Sequence, residues 1–350
     1  MDEGYRVTTL APKDDSSSKL EEVGCRFIHL PMDNQGLNPL ADFRLRKRLQ
    51  STYKTLSPDL AIHYTVKPVL YGSLAAASLN ISFVNNITGL GSVFIDRNWV
   101  TTLVKNLYKK SQKKASLVFF QNEEDHKLFD REGLIPMSVP QRVVPGTGVD
   151  TKKFAAMPYS SAEPNTFLLM ARLIWDKGLA EFVEAAKEVK KEFPKARFQV
   201  LGYLDVKNRT AISRAKVDSW VKEGILEYLG ETEDVRSYVE KAGCVVLPSY
   251  REGLPKTLLE AASMSRPIIA TDVTGCREIV KDGRNGLLCK VKDTSSLAES
   301  MKTFLHLSFD EKEKMGLQGR ALAVEKFHEK RVVASILKEI EQLLIPKVRV

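Results

Sequence analysis

Apolar and polar positions alternate along the chain in a way that predicts strand and helix in turn. Short apolar runs rich in β-branched and aromatic residues are each followed by a longer segment with a period near 3.6 residues. Such an order forms right-handed βαβ units and a parallel sheet. In the C-terminal half, strands are predicted at 166–170, 197–202, 225–229, 244–248, 268–271 and 286–289, and helices near 178–193, 209–222, 233–242, 256–264 and 274–281.

The N-terminal half repeats this alternation less regularly, with strands predicted at 7–10, 26–30, 60–63, 81–85, 117–121 and 142–144. Turn residues concentrate in 146–164, which predicts two doubly wound α/β domains, 1–150 and 151–325. Ligands of such sheets bind beyond the carboxyl ends of the strands, so two facing domains would share a cleft. The closing segment 326–350 is predicted to be a helix that can return to the N-terminal domain.

The first residues read as the end of a helix, with Gly4 as its stop signal, followed at once by the first strand. A domain that opens in this way begins in the middle of a βα unit. We therefore expect the N-terminal domain to lack its first strand and loop. Either the true start lies upstream, or the sheet has no central strand and its strand edges stay unpaired.

The composition places this chain of 350 residues among globular proteins, since 43% of its residues are apolar and 28% are charged. It contains no apolar run near the roughly 20 residues needed to span a bilayer, and no signal-peptide pattern at its start. The four cysteines form neither a CxxC pair nor a ligand-spaced cluster with the five histidines, which indicates reduced thiols in a cytoplasmic protein. An Asp-x-Asp pair is also missing, so we expect no tightly held metal ion.

Lysine and arginine outnumber aspartate and glutamate by 53 to 44, which gives a net charge of +9. Much of the excess lies in 43–56 and 97–114, two segments of helical periodicity without an acidic residue. Two interpretations are open for these segments: a solvated helix face, or a surface that docks on anionic lipid headgroups. No zinc-finger or RNA-recognition pattern supports a nucleic acid partner.

The sharpest chemical signal follows the buried strand CVVLP, in the stretch SYREGLPKTLLE. Pro255 suits the first turn of a helix, which leaves the backbone N–H groups of Lys256 and Thr257 unpaired at the strand ends. Together with the helix dipole, these groups form an anion site. Gly253 in the preceding loop allows the backbone to approach a ligand closely.

Two carboxylates and two cations complete this signal. Glu252 lies in the loop just before the anion site, and Glu260 lies further into the helix, where it can accept hydrogen bonds from sugar hydroxyls. Arg172 and Lys177 follow the strand TFLLM on a strand-to-helix loop. A guanidinium fork and a mobile ammonium suit a diphosphate, and a pair of solvated charges at a helix start is the alternative.

The stretches EGLPKTLLE, ARLIWDKG, LGYLD, VTGCREIVKDGRNGLL and GVDTKKF together resemble the retaining glycosyltransferases of family 4. They run through nearly all of 140–300 in the order found in that family. The resemblance implies the GT-B fold, which consists of two facing Rossmann-like domains, each with a doubly wound parallel sheet, and a cleft between them. It also implies a nucleotide-diphosphate sugar as donor, with UDP as the expected nucleotide, no metal and no further cofactor.

Carried onto this sequence, the resemblance implies a role for each residue of the two motifs. Arg172 and Lys177 would contact the diphosphate, Glu260 the ribose hydroxyls, and Glu252 the donor sugar as the catalytic residue. The other donor-binding positions would be Gly253, Leu254, Pro255, Lys256 and Thr257. Such enzymes retain the anomeric configuration by same-face attack, in which the leaving phosphate helps to deprotonate the acceptor.

The stretches HYTVKPVLYGSLAA and NNITGLGSVF resemble a narrower group, which adds hexoses or N-acetylhexoses to undecaprenyl-diphosphate-linked sugars for surface polysaccharides or glycans. Many relatives have a histidine where this chain has asparagine and threonine, so His63 is a candidate catalytic residue, and a structural role for it is equally open. The acceptor and sugar side would include Asn85, Asn86, Thr88 and Gly89.

A lipid-linked acceptor would explain the basic segments 43–56 and 97–114 as a peripheral contact with the inner face of the cytoplasmic membrane. The shortened start of the N-terminal domain leaves a second hypothesis open, a catalytically weak protein that binds sugar nucleotides or serves as a partner subunit. A sugar-nucleotide epimerase would share the fold, but the set of Arg172, Lys177, Glu252 and Glu260 argues against it. UDP-N-acetylhexosamine is the first expectation for the donor.

Overall fold

The structure, a computed structural model, describes residues 3–14, 16–32, 38–89, 99–159, 165–204, 206, 208 and 210–344. The strands are β1 (Thr8–Ala11), β2 (Arg26–His29), β3 (Leu60–Tyr64), β4 (Ser82–Ile87), β5 (Leu117–Phe120), β6 (Gln141–Val143), β7 (Thr166–Met170), β8 (Arg197–Leu201), β9 (Glu227–Tyr228), β10 (Cys244–Leu247), β11 (Ile268–Thr271) and β12 (Gly286–Cys289). The helices are α1 (Ser17–Glu22), α2 (Pro39–Leu56), α3 (Ser73–Ser78), α4 (Trp99–Ser111), α5 (Glu123–Arg131), α6 (Leu179–Glu192), α7 (Arg214–Lys222), α8 (Arg236–Lys241), α9 (Lys256–Ser263), α10 (Thr274–Ile279), α11 (Thr294–His306), α12 (Phe309–Lys326) and α13 (Glu329–Leu344).

The C-terminal strands form one parallel sheet in the order β12-β11-β10-β7-β8-β9. This is the doubly wound order, in which successive strands are added first on one side of β7 and then on its other side. Apolar residues of α6, α7 and α11 fill the core on one face of the sheet, and those of α8, α9, α10 and α12 fill it on the other. Because both faces are covered, strands such as TFLLM and CVVL are buried at every position.

The N-terminal strands differ from the single doubly wound sheet that the pattern predicts. β1 and β2 form a two-stranded parallel sheet, and β3, β4, β5 and β6 form a separate four-stranded sheet. Within the described residues no strand pairs with the second edge of β1 or of β3. Both alternatives for the start of the N-terminal domain stay predictions.

Most predicted elements occur within a few residues of their predicted limits. β7, β11 and β12 have exactly the predicted bounds, because buried apolar runs end sharply at turn residues. β9 is shorter than predicted, and α11 is not predicted at all. Asp293 begins α11 by accepting a hydrogen bond from Ser296 N, and Ser308 and Glu311 begin α12 with a capping box.

The chain divides into two compact units that are not continuous in sequence. The first contains Met1–Ile87, Trp99–Phe119 and Glu132–Gln141, and the second contains Thr88–Asn98, Phe120–Arg131 and Arg142–Val350. The closing helix α13 belongs to the second unit, where Arg142 Nε donates to Glu339 Oε1 at 3.1 Å. The predicted domain limits at 150 and 325, and the return of the last helix to the N-terminal domain, stay predictions.

The core of the first unit contains a buried polar network around His63, which is 2% exposed. His63 Nδ1 lies 2.8 Å from Asn85 Oδ1, and His63 Nε2 lies 3.0 Å from Tyr53 Oη. An amide oxygen only accepts, so Nδ1 donates to it and the neutral Nε2 accepts from the tyrosine. Ser73 Oγ also donates to Asn85 Oδ1, at 2.9 Å, and Asn85 Nδ2 donates to Gln112 Oε1 at 2.7 Å.

This network favours the structural interpretation of His63 over the catalytic one. Both ring nitrogens are paired inside the core, and burial lowers the pKa of His63 to about 4, although the hydrogen bond to Asn85 acts in the opposite direction. The prediction for Asn85 needs a correction for the same reason. Its side chain is fully buried with both polar atoms engaged in the network, so it has none left for an acceptor or a sugar.

The low pKa of His63 predicts a loss of stability in acid. Between about pH 6.5 and pH 4 the unfolded chain binds a proton at this histidine and the folded chain does not, so the free energy of unfolding falls as the pH falls through this window. The difference in pKa corresponds to roughly 3 kcal/mol. Urea unfolding of the wild type and of His63→Gln, at pH 7 and at pH 4.5, checks this. The variant should lose less stability on acidification, and equal losses in the two proteins would contradict the assignment.

Candidate active site

The doubly wound sheet of the second unit creates a crevice where its strand order reverses. β7 and β10 are neighbours, but the chain continues from β7 towards β8 and from β10 towards β11, on opposite sides. The two loops at the carboxyl ends of these strands therefore diverge and leave a space between them. The β7–α6 loop contains ARLIWDKG and the β10–α9 loop contains SYREGLP, so the two strongest motifs meet at this point.

The two cations of the β7–α6 loop differ in exposure and in ion pairing. Arg172 is exposed, and no described residue pairs with its guanidinium. Lys177 lies in a 3₁₀ turn and forms an ion pair with Glu252. The next residue, Gly178, has a φ of 73°, and an added Cβ would lie 2.0 Å from the carbonyl oxygen of Pro248. Only glycine permits this close approach, which brings the loop against the end of β10.

The β10–α9 loop is joined to the β7–α6 loop through Asp176. The Asp176 carbonyl oxygen accepts hydrogen bonds from Tyr250 N at 2.9 Å and from Ser249 Oγ at 3.2 Å. Together with the ion pair of Lys177 and Glu252, these contacts place a cation of the first loop beside a carboxylate of the second. The side chains of this pair are 20% and 12% exposed, so both remain accessible from the solvent.

Helix α9 begins at the predicted residue, and Pro255 comes directly before its first turn. Pro255 has extended backbone angles and is the N-cap, so the first helical residue is Lys256. The N–H groups of Lys256 and Thr257 have no acceptor within the helix, because the first turn has no preceding carbonyl groups. They face the carboxyl edge of the sheet with the positive end of the helix dipole, as an anion site requires.

Glu260, one turn into α9, is buried and receives no hydrogen bond from any described side chain. Burial raises the pKa of Glu260, whereas the charges of Lys256 and Lys153 act in the opposite direction. A buried carboxylate without donors is costly unless a ligand supplies them. The hydroxyl groups predicted for this position are donors of that kind.

Gly253 is required by a close contact within the chain, and the predicted approach of a ligand at this position stays a prediction. An added Cβ would lie 2.4 Å from the carbonyl oxygen of Thr88 and 3.2 Å from Gln121 Oε1. The space beside Gly253 is therefore occupied by the chain itself, and Gly89 also lies next to it. Thr88 and Gly89, predicted on the acceptor side, thus border the loop that contains Glu252.

Several residues at this loop were missed by the sequence analysis. Asn122 Nδ2 donates to the carbonyl oxygen of Gly253 at 3.2 Å, Gly275 N donates to that of Glu252 at 3.2 Å, and Arg251 forms an ion pair with Asp125. The polar Asn122, two residues after the buried strand LVFF, is a signal that could have been used, since it lies at the carboxyl end of a strand. The ion pair has no such local signal.

The other predicted acceptor residue lies in the first unit. Asn86 is 2% exposed, and its Oδ1 has no hydrogen-bond partner among the described residues. An unpaired buried acceptor is unusual and is compatible with the predicted sugar contact, which stays a prediction. The rest of that stretch, residues 90–94, lies outside the described residues.

Comparison with known proteins agrees with this arrangement. A family model described as glycosyl transferases group 1 matches residues 164–306, and a second, described as glycosyl transferase 4-like, matches residues 1–122. The chain is 29% identical over 345 residues to an N,N'-diacetylbacillosaminyl-diphospho-undecaprenol alpha-1,3-N-acetylgalactosaminyltransferase of Campylobacter jejuni, covering 94% of this chain and 88% of that protein.

Two solved structures have the same fold. Sucrose-phosphate synthase of Thermosynechococcus elongatus superposes with a TM-score of 0.79 at 18% identity, covering 98% of this chain and 90% of that chain. Anabaena HepE in complex with UDP-glucose superposes with a TM-score of 0.78 at 18% identity, covering 96% and 91%. The predicted GT-B fold is thereby confirmed. The two family models show the enzyme class: the chain belongs to the glycosyltransferases, with a 4-like N-terminal region and a group 1 C-terminal region.

Proposed function

We propose that this protein is a metal-independent, retaining glycosyltransferase that moves a hexose or N-acetylhexosamine from a UDP-sugar to a lipid-linked saccharide. One observation supports this above all others. At the reversal of the strand order, the N-terminus of α9, an arginine without a partner among the described residues, a paired lysine and two carboxylates converge within the second unit. Cations and N–H groups suit a diphosphate, and carboxylates suit sugar hydroxyls.

In the proposed reaction the bond between the anomeric carbon and the phosphate oxygen breaks, and negative charge grows on the diphosphate. Arg172 and the N–H groups at the start of α9 would stabilise this charge, and they are in place before the reaction begins. Glu252 would orient the donor sugar through its hydroxyls, and Glu260 would hold the ribose. The acceptor oxygen would form the new bond to the anomeric carbon on the same face while the leaving oxygen takes the proton of the acceptor hydroxyl, which retains the anomeric configuration.

The proposed substrates rest on the relatives. The Campylobacter protein is named for an N-acetylgalactosaminyl transfer to a diphospho-undecaprenol saccharide, and HepE has been solved with UDP-glucose. A lipid-linked diphosphate saccharide as acceptor, a UDP-sugar as donor and a place in surface polysaccharide or glycan synthesis are therefore the first candidates for this chain.

A membrane-bound acceptor requires contact with the bilayer. Among the described residues, no helix has the length and the apolar character needed to cross a membrane. Helix α2 instead offers a surface for docking. It buries Leu45, Leu49 and Tyr53 on one side, and on the other it exposes two apolar side chains near its start, Leu40 and Phe43, at 68% and 57%.

Four cations, Arg44, Lys47, Arg48 and Lys54, share the exposed side of α2. Its acidic residue, Asp42, is paired with Lys67 Nζ at 2.7 Å and Tyr71 Oη at 2.8 Å, so its charge is compensated. Exposed apolar side chains beside uncompensated cations are typical of helices that lie in an anionic lipid interface. We propose peripheral docking at the inner face of the cytoplasmic membrane through this helix.

The second basic segment is proposed to contribute through the end of α4. Lys105 is paired with Glu132 at 2.9 Å, whereas the lysines that follow it towards residue 114 are exposed. Those free cations are Lys109, Lys110, Lys113 and Lys114. Arg97 lies outside the described residues.

The first prediction concerns the diphosphate. Arg172→Ala should weaken UDP binding about tenfold or more, because a hydrogen bond to a charged group contributes about 1.5–3 kcal/mol. Binding of uridine, which has no phosphate, should not change. Titration calorimetry with both ligands checks this, and Arg284→Ala, at an exposed position without side-chain partners, is the matched control. Equal UDP affinity in wild type and Arg172→Ala would remove Arg172 from the site.

The second prediction separates binding from transfer. Glu252→Gln should lower the turnover of the UDP-sugar about 100-fold, because the donor sugar loses its orienting carboxylate. UDP affinity should be unchanged or higher, since Lys177 is then free for phosphate. The assay uses UDP-GalNAc, UDP-GlcNAc, UDP-glucose and UDP-galactose with an undecaprenyl-diphosphate-linked N-acetylhexosamine.

The control for this assay is Glu184→Gln, whose exposed carboxylate pairs with Lys187 on the surface of α6. It should transfer at the wild-type rate. Full transfer by Glu252→Gln would refute the catalytic assignment. A wild-type protein that binds UDP but transfers none of these sugars would support the alternative of a sugar-nucleotide-binding partner protein.

The third prediction concerns the membrane. Replacing Arg44, Lys47 and Arg48 by glutamine should lower binding to vesicles of phosphatidylglycerol and phosphatidylcholine roughly 100-fold, at about 1 kcal/mol for each cation. Cosedimentation measures this, with phosphatidylcholine vesicles as the uncharged reference. The matched control replaces three exposed lysines of the other unit, Lys222, Lys241 and Lys314. If both triple variants bind equally, α2 is not the docking surface.

A further inference from the structure

A buried charge pair lies next to Glu252 and outside the motifs that define the donor site. Asp125, in the first turn of α5, is 1% exposed and forms an ion pair with Arg251. The Nε of Arg251 is buried and has no partner among the described residues, so Asp125 is the one anion that compensates this guanidinium there. A charge pair of this kind is strongly disrupted by the loss of one member, because the other is then left uncompensated.

Asn122 connects this pair to the backbone of the loop. Its Oδ1 accepts from Asp125 N at 2.7 Å, and its Nδ2 donates both to Asp125 Oδ2 at 3.1 Å and to the carbonyl oxygen of Gly253 at 3.2 Å. Both donor positions of the amide nitrogen and one acceptor position of its oxygen are thus in use within one local arrangement. Asn122 caps α5 and holds the residue after Glu252 at the same time.

The backbone on both sides of Glu252 is therefore held by α5. Arg251, before it, is held through its side chain by Asp125, and Gly253, after it, is held through its carbonyl group by Asn122. The carbonyl group of Glu252 accepts from Gly275 N at 3.2 Å, and its carboxylate is paired with Lys177. The same turn of α5 also contacts α10, since Glu124 accepts from Thr274 Oγ1 at 2.6 Å and pairs with Arg277.

We propose that Asp125, acting through Arg251 and Asn122, is a positioning residue that sets where the Glu252 carboxylate meets the donor sugar. This inference rests on the proposed function, since it connects Asp125 with the orientation of the donor sugar and not with the binding of the nucleotide. Arg172 lies on the β7–α6 loop and the N–H groups of Lys256 and Thr257 lie in the first turn of α9, and neither phosphate contact would include Asp125. Loss of Asp125 should therefore affect the rate of transfer and leave nucleotide binding intact.

The test uses Asp125→Asn in the full chain. Asparagine keeps the size and one acceptor oxygen, but it removes the charge and turns a donor towards Arg251 or Asn122. The value of kcat should fall about tenfold or more, because small displacements of a positioned group are costly in rate. The Kd for UDP and the KM for the UDP-sugar should stay within about twofold of the wild type. The matched control is Glu123→Gln, an exposed carboxylate in the same turn, which should leave kcat unchanged.

Arg251→Gln provides an independent check should Asp125→Asn fail to fold, because Arg251 is partly exposed. It should show the same selective fall in kcat. In the double variant the two effects should not add, since each residue acts through the other. Additive effects, an unchanged kcat with only a lower melting temperature, or a parallel loss of UDP affinity would each overturn the proposal.

These outcomes are distinct from a failure of the proposed function. If the wild type transfers no sugar to any acceptor, the proposed function is at fault. If the wild type transfers and Asp125→Asn transfers equally well, only the positioning role of Asp125 is refuted.

Discussion

The site depends on one topological constraint, the neighbouring placement of β7 and β10 in a parallel sheet whose order reverses between them. Since the chain leaves these strands in opposite directions, the following loops cannot pack into a continuous layer, and a crevice results. Two contacts then hold these loops together. Gly178 lies close to Pro248, and Tyr250 N donates a hydrogen bond to the Asp176 carbonyl oxygen. Cations after β7 and carboxylates after β10 are thereby brought close without being near in sequence.

In the absence of a ligand, Lys177 and Glu252 neutralise each other's charge in this crevice through their ion pair. Two half-buried charges of opposite sign compensate each other, whereas either alone would be costly at this depth. A diphosphate in the proposed reaction would replace the carboxylate as the partner of Lys177 and release Glu252 towards the sugar. Lys177 has an anionic partner before and after this exchange. Binding of the donor therefore does not carry the full desolvation cost of either charged group.

The sequence allowed the second unit to be predicted well and the first less well, for physical reasons. Strands buried on both faces, such as Thr166–Met170, are continuous apolar runs whose limits are sharp in sequence. The separation of β1 and β2 from the other N-terminal strands depends on pairing between strands, which local pattern does not encode. The burial of Asn85 against His63 likewise depends on the register of β3 with β4.

In the candidate site, too, some residues could be predicted from the sequence and others could not. Arg172, Lys177, Glu252 and Glu260 could be identified because each follows a strand or begins a helix in a recognisable motif. The Asp125–Arg251 pair joins residues more than a hundred positions apart, and each looks like an ordinary charge in its own segment. The close contact of Gly253 with the Thr88 carbonyl was not predicted, because no local pattern reveals which distant segment lies beside a loop residue.

The loop with Glu252 is held in position by contacts with other segments of the chain. Fixing each backbone residue costs about 1–2 kcal/mol in conformational entropy, so a short loop stays in place only if other elements compensate that cost. Here α5 holds Arg251 and Gly253, α10 holds Glu252, and the β7–α6 loop holds Tyr250. The position of Glu252 is therefore a property of several segments rather than of the motif alone. A glycosyltransferase with the same EGLPKTLLE stretch but without the acid at position 125 would present that carboxylate to the sugar differently.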